Sequence, residues 1–304
     1  MLQFLSKLTD LNPWQKQKLW GILLILPAAV LLFSVVIYPL VYNLIMSFQD
    51  FVLIRPEAGT PFVGLENYIS VLNDSVFWRA LRNTIVWVIG VVSIQMILGV
   101  TAAILLNQKL RGRGFFRGLM LLPWVTPGVV AALTFMWMYD AQFGILNHIL
   151  VELGLLDAGI AWLGDSSYAL GAVMLVQIWK NFPFVMVLCL AALQAVPNQL
   201  YESAKVDGAN FLQQTFYISL PYIKHTLYLA GVLSTIWTFN SFEIVWILTQ
   251  GGPAYASEIM TTYVYSRAFQ GFDMGEAGAI AVIMFTILFF FVGAFGKKAI
   301  GGNQ

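Results

Sequence analysis

The chain has 304 residues, of which 59% are hydrophobic and only 10% are charged, and its mean hydropathy is +0.78. Soluble domains are about half apolar and a quarter charged, so this composition excludes a water-soluble globular protein and indicates a membrane protein. The net charge of +1 gives no reason to expect nucleic acid as a partner.

Six apolar runs are long enough to cross a membrane as helices of about 20 residues. The first run is too long for a secretory signal, so we expect a retained span, bent or tilted around Pro27 and Pro39. We therefore predict an all-α, polytopic fold in one transmembrane domain over residues 1–304. The predicted spans cover residues 19–48, 83–106, 118–139, 169–193, 226–249 and 277–295.

The connecting segments fall into two sets with opposite charge. The set that contains both ends of the chain carries 11 basic and 3 acidic residues, and the other set carries 4 basic and 11 acidic residues. By the positive-inside rule, both termini are cytoplasmic, including the N-terminal segment 1–18.

Motifs for metal binding or catalysis are not found in the sequence. The single cysteine, Cys189, excludes an intramolecular disulfide, and the two histidines lie far apart at positions 148 and 225. The sequence therefore predicts no metal site and no cofactor. It also lacks a phosphate-binding loop of the Gly-x-x-x-x-Gly-Lys-Ser/Thr type, so any ATP hydrolysis belongs to another chain.

Polar residues at mid-depth in spans four and five mark a candidate solute path. Gln177, Lys180 and Asn181 share one stripe of span four, and Asn240 and Glu243 share one stripe of span five. An ionised side chain at the centre of a span costs about 2.5–3.5 kcal/mol, so it usually faces a partner or a wet cavity. The two charges are interpreted either as a neutral pair between helices or as part of the path. Three nearby aromatic residues, which stack on a solute or serve packing, are Trp179, Trp237 and Phe242.

The inner segment 194–225 is longer than an ordinary connection, which suggests a task of its own. Pro197 ends the incoming helix, Asn198 is expected to cap a short helix, and Gly208 suits a left-handed helix end. A second helix is expected over residues 209–218. The resulting elbow is either a simple connector at the membrane surface or a docking element.

The elbow sequence, together with motifs along most of the chain, resembles the permease subunits of bacterial ABC importers. The stretch Glu-Ser-Ala-x-x-Asp-Gly-Ala is similar to their EAA loop, with serine where the family usually has alanine. Similar motifs of the sugar-type branch occur at residues 62–68, 116–127, 178–184, 216–221 and 248–253. The resemblance assigns coupling to an ATPase to Glu202, Ser203, Ala204, Asp207, Gly208 and Ala209.

The resemblance implies a subunit of an ATP-driven importer in the bacterial cytoplasmic (inner) membrane. The chain would form half of the pathway for a sugar, an oligosaccharide or a polyol derivative. The implied partners are a second permease subunit, two copies of a cytoplasmic ATPase subunit, a periplasmic or lipid-anchored solute-binding protein, and membrane lipid. Glu202 is expected to meet a basic group of the ATPase, and Asn181 and Asn240 match positions on the substrate route of the family.

Three other classes of membrane protein fit the sequence less well. A secondary transporter could use Lys180 and Glu243, but no repeat relates the two halves of the chain. A channel would need a selectivity motif such as Thr-Val-Gly-Tyr-Gly, which is missing. A membrane enzyme would need a cluster of His, Asp, Glu or Cys near one face, which two distant histidines and one cysteine do not supply.

Overall fold

The structure, a computed structural model, describes residues 12–108 and 111–300. Residues 1–11 of the predicted cytoplasmic segment 1–18, and Lys109, lie outside the described residues. The helices are α1 (Pro13–Met46), α2 (Glu66–Asn73), α3 (Ser75–Asn107), α4 (Arg113–Val125), α5 (Gly128–Met138), α6 (Ile145–Glu152), α7 (Ala169–Gln194), α8 (Asn198–Val206), α9 (Phe211–Gln214), α10 (Leu220–Tyr222), α11 (Lys224–Phe239), α12 (Glu243–Thr249), α13 (Met260–Tyr265) and α14 (Met274–Ile300).

Four helices, α1, α3, α7 and α14, are long and apolar enough to cross a membrane, and the pairs α4–α5 and α11–α12 meet the same criterion together. The described chain therefore has six spans if each bent pair counts as one. The predicted all-α, polytopic fold is confirmed. Spans three and five, however, are not the continuous helices predicted over 118–139 and 226–249, since α4 and α5 meet at 92° and α11 and α12 at 42°.

The first span runs as one helix through both of its prolines. Pro27 lies inside α1, and Pro39 follows a π-helical turn over Phe33–Ile37. A π-turn absorbs a local change in the hydrogen-bond pattern, which a proline requires because it has no N–H. The most apolar stretch of α1 is not buried within this chain, so lipid or another subunit must cover it.

The centre of the domain is the pair α3 and α7. Gly99 of α3 permits close contact, because a β-carbon there would lie 2.6 Å from the β-carbon of Val185. The side chain of Gln95 donates to the carbonyl oxygen of Gln177 at 3.1 Å, and Trp87 donates its indole N–H to a carbonyl of α11 at 3.0 Å. These contacts fix α7, which carries the first predicted polar stripe, and α11, which ends just before the second, against one helix.

The segments predicted to lie outside meet at the Ser75 end of α3. Asp74 caps this helix by accepting from the N–H of Val76 at 2.8 Å. The guanidinium of Arg267 binds Asp74 and lies 3.3 Å from a carboxylate oxygen of Glu276. These contacts tie α3, the segment after α13, and α14 together at one end.

The segments predicted to lie inside meet at the other end of α3. Arg117 donates to the carbonyl oxygen of Leu106 at 3.2 Å, and α8 and α9 lie beside Asn107. The 33 residues of α3 separate the two ends by about 50 Å. The charge segregation in the sequence thus corresponds to two distant ends of the molecule.

Candidate functional site

The helix α8 ends in a turn built by residues predicted for coupling. Gly208 has φ +79°, which glycine adopts without strain. The N–H of Ala209 donates to the carbonyl oxygen of Ala204 at 2.8 Å, and the N–H of Gly208 donates to that of Lys205 at 3.1 Å. These two bonds form a Schellman motif, which satisfies carbonyl groups at the helix end. The predicted left-handed end at Gly208 is confirmed.

The start of α8 differs from the prediction. Pro197, with φ −59° and ψ 129°, occupies the cap position, and its side chain cannot accept a hydrogen bond. Asn198 is already the first helical residue, so its predicted role as the cap is wrong. The fixed φ of proline directs the chain into the helix without a polar cap.

The second arm of the elbow begins two residues later than predicted and contains a π-helical turn. The side chain of Asn210 accepts from the N–H of Gln213 at 2.9 Å, and the side chain of Gln213 accepts from the N–H of Asn210 at 2.8 Å. This capping box starts α9, which passes into a π-helix over Thr215–Ser219. The helix predicted over 209–218 is therefore confirmed in most of its length, but the cap moves its start to Phe211, and the π-turn continues it into α10 (Leu220–Tyr222).

The elbow presents a mixed surface away from the spans. Val206 is 88% exposed. The hydroxyl of Tyr201 lies 2.9 Å from that of Ser219, which ties the two arms together. Small and charged groups around one apolar side chain suit contact with another protein. Of the residues predicted for coupling, those exposed are Glu202, Ser203, Asp207 and Gly208, and those half-buried are Ala204 and Ala209.

A cavity of about 670 Å³ separates the elbow from the ends of α3 and α7. Glu202 and Lys205 line it from the elbow, and Asn107 lines it from α3. Beside this cavity, Tyr201 and Ile218 pack against side chains of α3 and α7, so the elbow contacts the spans through its apolar residues.

Span three breaks at Thr126 and Pro127. Thr126 has ψ 126° and Pro127 has φ −55° and ψ 139°, so both are extended. A proline lacks the N–H and disfavours the helical conformation of the preceding residue, so α4 ends at Val125 and α5 begins at Gly128. The sequence Thr-Pro-Gly inside an apolar run was the signal for this break, which hydropathy alone does not reveal.

The two charged residues of the membrane domain meet at this break. Nζ of Lys180 donates to the carbonyl oxygen of Thr126 at 3.1 Å. The carboxylate of Glu243 lies against Gly128, where a β-carbon would overlap it. Within the described part of the chain, ion pairs closer than 4.0 Å involve other residues, so these two charges do not pair directly. Their place on the solute path stays a prediction.

Span five breaks next to the same place. Asn240 has φ −90° and ψ 7°, and Phe242 has φ −125° and ψ −51°, so the helical geometry is lost over these residues. The carbonyl oxygen of Ser241 accepts from the hydroxyl of Thr261 at 2.6 Å. Because α12 packs along α5 and begins at Glu243, the two breaks lie side by side.

The three predicted amides differ in exposure. Gln177 is buried beside α3, Asn181 is half-buried, and Asn240 is exposed. The side-chain nitrogens of Asn181 and Asn240 donate to carbonyls four residues earlier, at 3.3 and 2.8 Å. Their amide oxygens accept no hydrogen bond within residues 12–108 and 111–300, which leaves them available to a hydroxyl-bearing solute.

The predicted aromatic residues pack against other aromatic side chains. The Trp179 ring lies 5.2 Å from that of Phe135, and the Trp237 ring lies 4.5 Å from that of Phe184. Phe242 packs against Trp246 and Tyr265, which also contact each other. These contacts support the packing interpretation for all three residues.

Sequence reasoning missed Glu258, which lies in the segment after α12. Its carboxylate is buried beside Gly251, where a β-carbon would overlap it, and Oε1 has no hydrogen-bond partner among the described residues. Burial raises the pKa of Glu258 to about 7. The amide of Asn83 donates to the carbonyl oxygens of Tyr255, Ala256 and Glu258, which fixes the segment to α3. In the sequence, the only indication of this segment was the Gly-Gly-Pro motif at residues 251–253, against which Glu258 is buried.

A family model described as "Binding-protein-dependent transport system inner membrane component" matches residues 95–301. This range contains both breaks, the elbow and the segment around Glu258. The match therefore covers the parts of the chain from which the candidate site is built.

Individual relatives match along almost the whole chain. The trehalose/maltose transport system permease protein MalF of Thermococcus litoralis is 36% identical over 301 residues, 96% of this chain and 99% of the relative. The sulfoquinovosyl glycerol transport system permease protein SmoG of Agrobacterium fabrum is 33% identical over 272 residues, 89% of this chain and 87% of the relative. In fold, the chain is similar to a chain of a bacterial ABC transporter involved in alginate import, with a TM-score of 0.81, 21% identity and coverage of 96% and 99%.

Proposed function

The chain belongs to the family of binding-protein-dependent transport system inner membrane components, and from this membership we propose that it forms half of the pathway for a sugar, an oligosaccharide or a polyol derivative. The family consists of transport subunits of ABC importers, and a separate chain hydrolyses ATP. The resemblance drawn from the sequence motifs is confirmed. The single observation that carries the proposed substrate class is the 36% identity to a trehalose/maltose permease.

The solute path is proposed to pass the two breaks. The free amide oxygens of Asn181 and Asn240 suit sugar hydroxyls, which donate as well as accept hydrogen bonds. Gln177 lies one turn before Asn181 on the same helix, at the buried edge of this stripe. The name of the Agrobacterium relative, a permease for sulfoquinovosyl glycerol, supports including glycosylated polyols among the candidate substrates.

The importer contains a solute-binding protein, and a second permease and ATPase subunits are typical of the family. We propose that the elbow docks on the ATPase through the exposed residues of α8, with Glu202 facing a basic group. A six-span chain encloses only half a pathway, so a second permease surface must close the polar breaks away from lipid.

Both termini are proposed to be cytoplasmic, as the charge distribution requires. Reporters fused at Arg113 and near Val206 are expected to be cytoplasmic. Reporters near Thr60, Leu156 and Tyr255 are expected to be exported. Export of the fusion near Val206 would contradict both this orientation and the assignment of the elbow to an ATPase.

The decisive experiment is uptake by the chain assembled with its second permease, ATPase and binding protein in proteoliposomes. We expect uptake of a labelled maltose, trehalose or glycosyl glycerol that requires internal ATP and the binding protein. Uptake that continues without ATP, and stops when an ion gradient is dissipated, would instead support a secondary transporter. If none of these sugars is taken up but a solute of another class is, with ATP, then the proposed substrate class is wrong and the importer assignment stands.

A further inference from the structure

The break of span three leaves backbone groups without partners in a membrane. The last carbonyls of α4 and the first N–H groups of α5 lack intrahelical hydrogen bonds, as at every helix end. Hydrocarbon offers no replacement for them, so a break at this depth persists only where protein or a wet cavity satisfies the exposed groups.

Side chains from two other spans reach the two sides of this break. Lys180 of α7 donates to the carbonyl oxygen of Thr126, which follows the last residue of α4. Glu243 of α12 places its carboxylate against Gly128, the first residue of α5. Neither side chain is close enough to the other for an ion pair.

The sign of each charge matches the helix end that it faces. A helix carries partial negative charge at its carboxyl end and partial positive charge at its amino end. Lys180 therefore lies at the negative end of α4, and Glu243 lies at the positive end of α5. Glu243 is also the first residue of α12, a position where an acidic side chain is favourable.

We propose that Lys180 and Glu243 are positioning residues that form a clasp, in which each charge holds one end of the broken span three. The clasp is defined by the contacts Lys180–Thr126 and Glu243–Gly128. The elbow leads directly into α11 and then α12, so Glu243 connects a shift of the elbow to α5. This inference rests on the proposed function, because it treats the break as a moving part of an importer.

The first test separates the clasp from a direct ion pair by neutralising the charges in the assembled importer. Lys180→Gln and Glu243→Gln are each expected to lower maximal uptake about fivefold, and the double variant at least as much as either single variant, because each charge faces a different helix end. The substrate concentration for half-maximal uptake should not change. A double variant that regains wild-type uptake would show that the charges only neutralise each other.

Exchanging the charges gives a second contrast. The variant Lys180→Glu with Glu243→Lys keeps the net charge but places an anion on carbonyl groups and a cation on a helix amino end. The clasp predicts less uptake than either single variant, whereas a direct pair predicts recovery. Lys180→Arg keeps a cation at the break and should retain most activity.

A matched pair of glycines tests the geometry without changing any charge. Gly128→Ala should displace the Glu243 carboxylate and lower maximal uptake about fivefold, as Glu243→Gln does. Gly118→Ala is the control, since a β-carbon at this position of α4 meets nothing within 4 Å. Equal activity of the two alanine variants would overturn the clasp.

A distance measurement keeps the test valid for variants that assemble but do not transport. Spin labels at Phe115 of α4 and Trp137 of α5, which are 72% and 80% exposed, report the bend in a background with Cys189→Ser. Gly128→Ala and Glu243→Gln should broaden the distance distribution, and Gly118→Ala should not. An unchanged distribution in the first two would also refute the clasp. A wild-type complex that transports no sugar would refute the proposed function while leaving these distances informative.

Discussion

The elbow and the break of span three both turn the chain sharply, but their helix ends are satisfied in different ways. At the elbow, the bonds that close α8 and start α9 join residues no more than five positions apart. At the break, Lys180 reaches Thr126 from 54 positions away, and Glu243 reaches Gly128 from still farther along the chain. The elbow keeps its shape by itself, whereas the break depends on where three spans lie.

This difference suits two steps of one transport cycle. A turn closed by its own bonds can be moved by a docked protein without losing its shape. A break held by other spans changes when those spans move. Water can satisfy any group left free at the elbow, whereas a break at membrane depth persists only where protein or a wet cavity satisfies its groups.

The largest effect is expected from a variant that disturbs the left-handed turn at Gly208 in the elbow. Gly208→Val should reduce uptake about 30-fold or more, since a β-branched residue at φ +79° is strained by about 2 kcal/mol. A β-carbon at Gly208 meets nothing within 4 Å, so the loss would come from the backbone and not from a clash. Uptake and the amount of ATPase that co-purifies are the measurements.

Gly208→Asn is the matched control, because asparagine tolerates the left-handed conformation. It should keep most of the uptake and bind the ATPase normally. Valine and asparagine variants with the same activity would mean that the elbow does not depend on this conformation.

A charge reversal on the exposed face of the elbow should have the next largest effect. Glu202→Lys places a cation against the basic group expected on the ATPase, and uptake should fall about tenfold. Glu202→Gln removes only the attraction and should cost about threefold. Reversing the ATPase residue in contact should restore uptake in the Glu202→Lys variant; if no single reversal on the ATPase does so, the assignment of Glu202 is wrong.

Smaller effects are expected at the amides beside the breaks. Asn181→Ala and Asn240→Ala should each raise the substrate concentration for half-maximal uptake about fivefold, the cost of about one hydrogen bond. Maximal uptake should change less, in contrast to the clasp variants. Asn73→Ala, an exposed asparagine at the end of α2, is the control. Unchanged half-saturation in both variants would remove the two amides from the solute path.

The same contrast explains which features could be predicted from the sequence. Gly208 was identified correctly because the turn that it forms is determined by neighbouring residues. The six apolar runs likewise predicted the spans, since hydropathy reflects each residue and its neighbours. The contact of Glu243 with Gly128 could not be predicted, because it depends on how α5 and α12 pack. The placement of Lys180 and Glu243 at different helix ends could not be predicted for the same reason.

The segment after α12 is held both by local hydrogen bonds, as the elbow is, and by contacts from a distant helix, as the break of span three is. Ser257 donates to the carbonyl oxygen of Gly252 at 2.6 Å, which is local, whereas Asn83 fixes the segment from α3. Glu258 is buried between these contacts, and burial raises its pKa from 4.5 to about 7. The folded chain therefore binds this proton more tightly than the unfolded chain.

The smallest predicted effect follows from this raised pKa. The contribution of Glu258 to stability is complete below about pH 4.5 and is lost as the pH rises through about 7. The thermal unfolding midpoint of the wild type should therefore drop more between pH 5 and pH 8 than that of Glu258→Gln. We expect a difference of only a few °C, because each kcal/mol shifts the unfolding midpoint of a chain of this size by about 2 °C. Asp157→Asn, which changes an exposed carboxylate, should keep the wild-type pH dependence. If Glu258→Gln keeps it as well, the carboxyl group of Glu258 is ionised in the folded protein at pH 5.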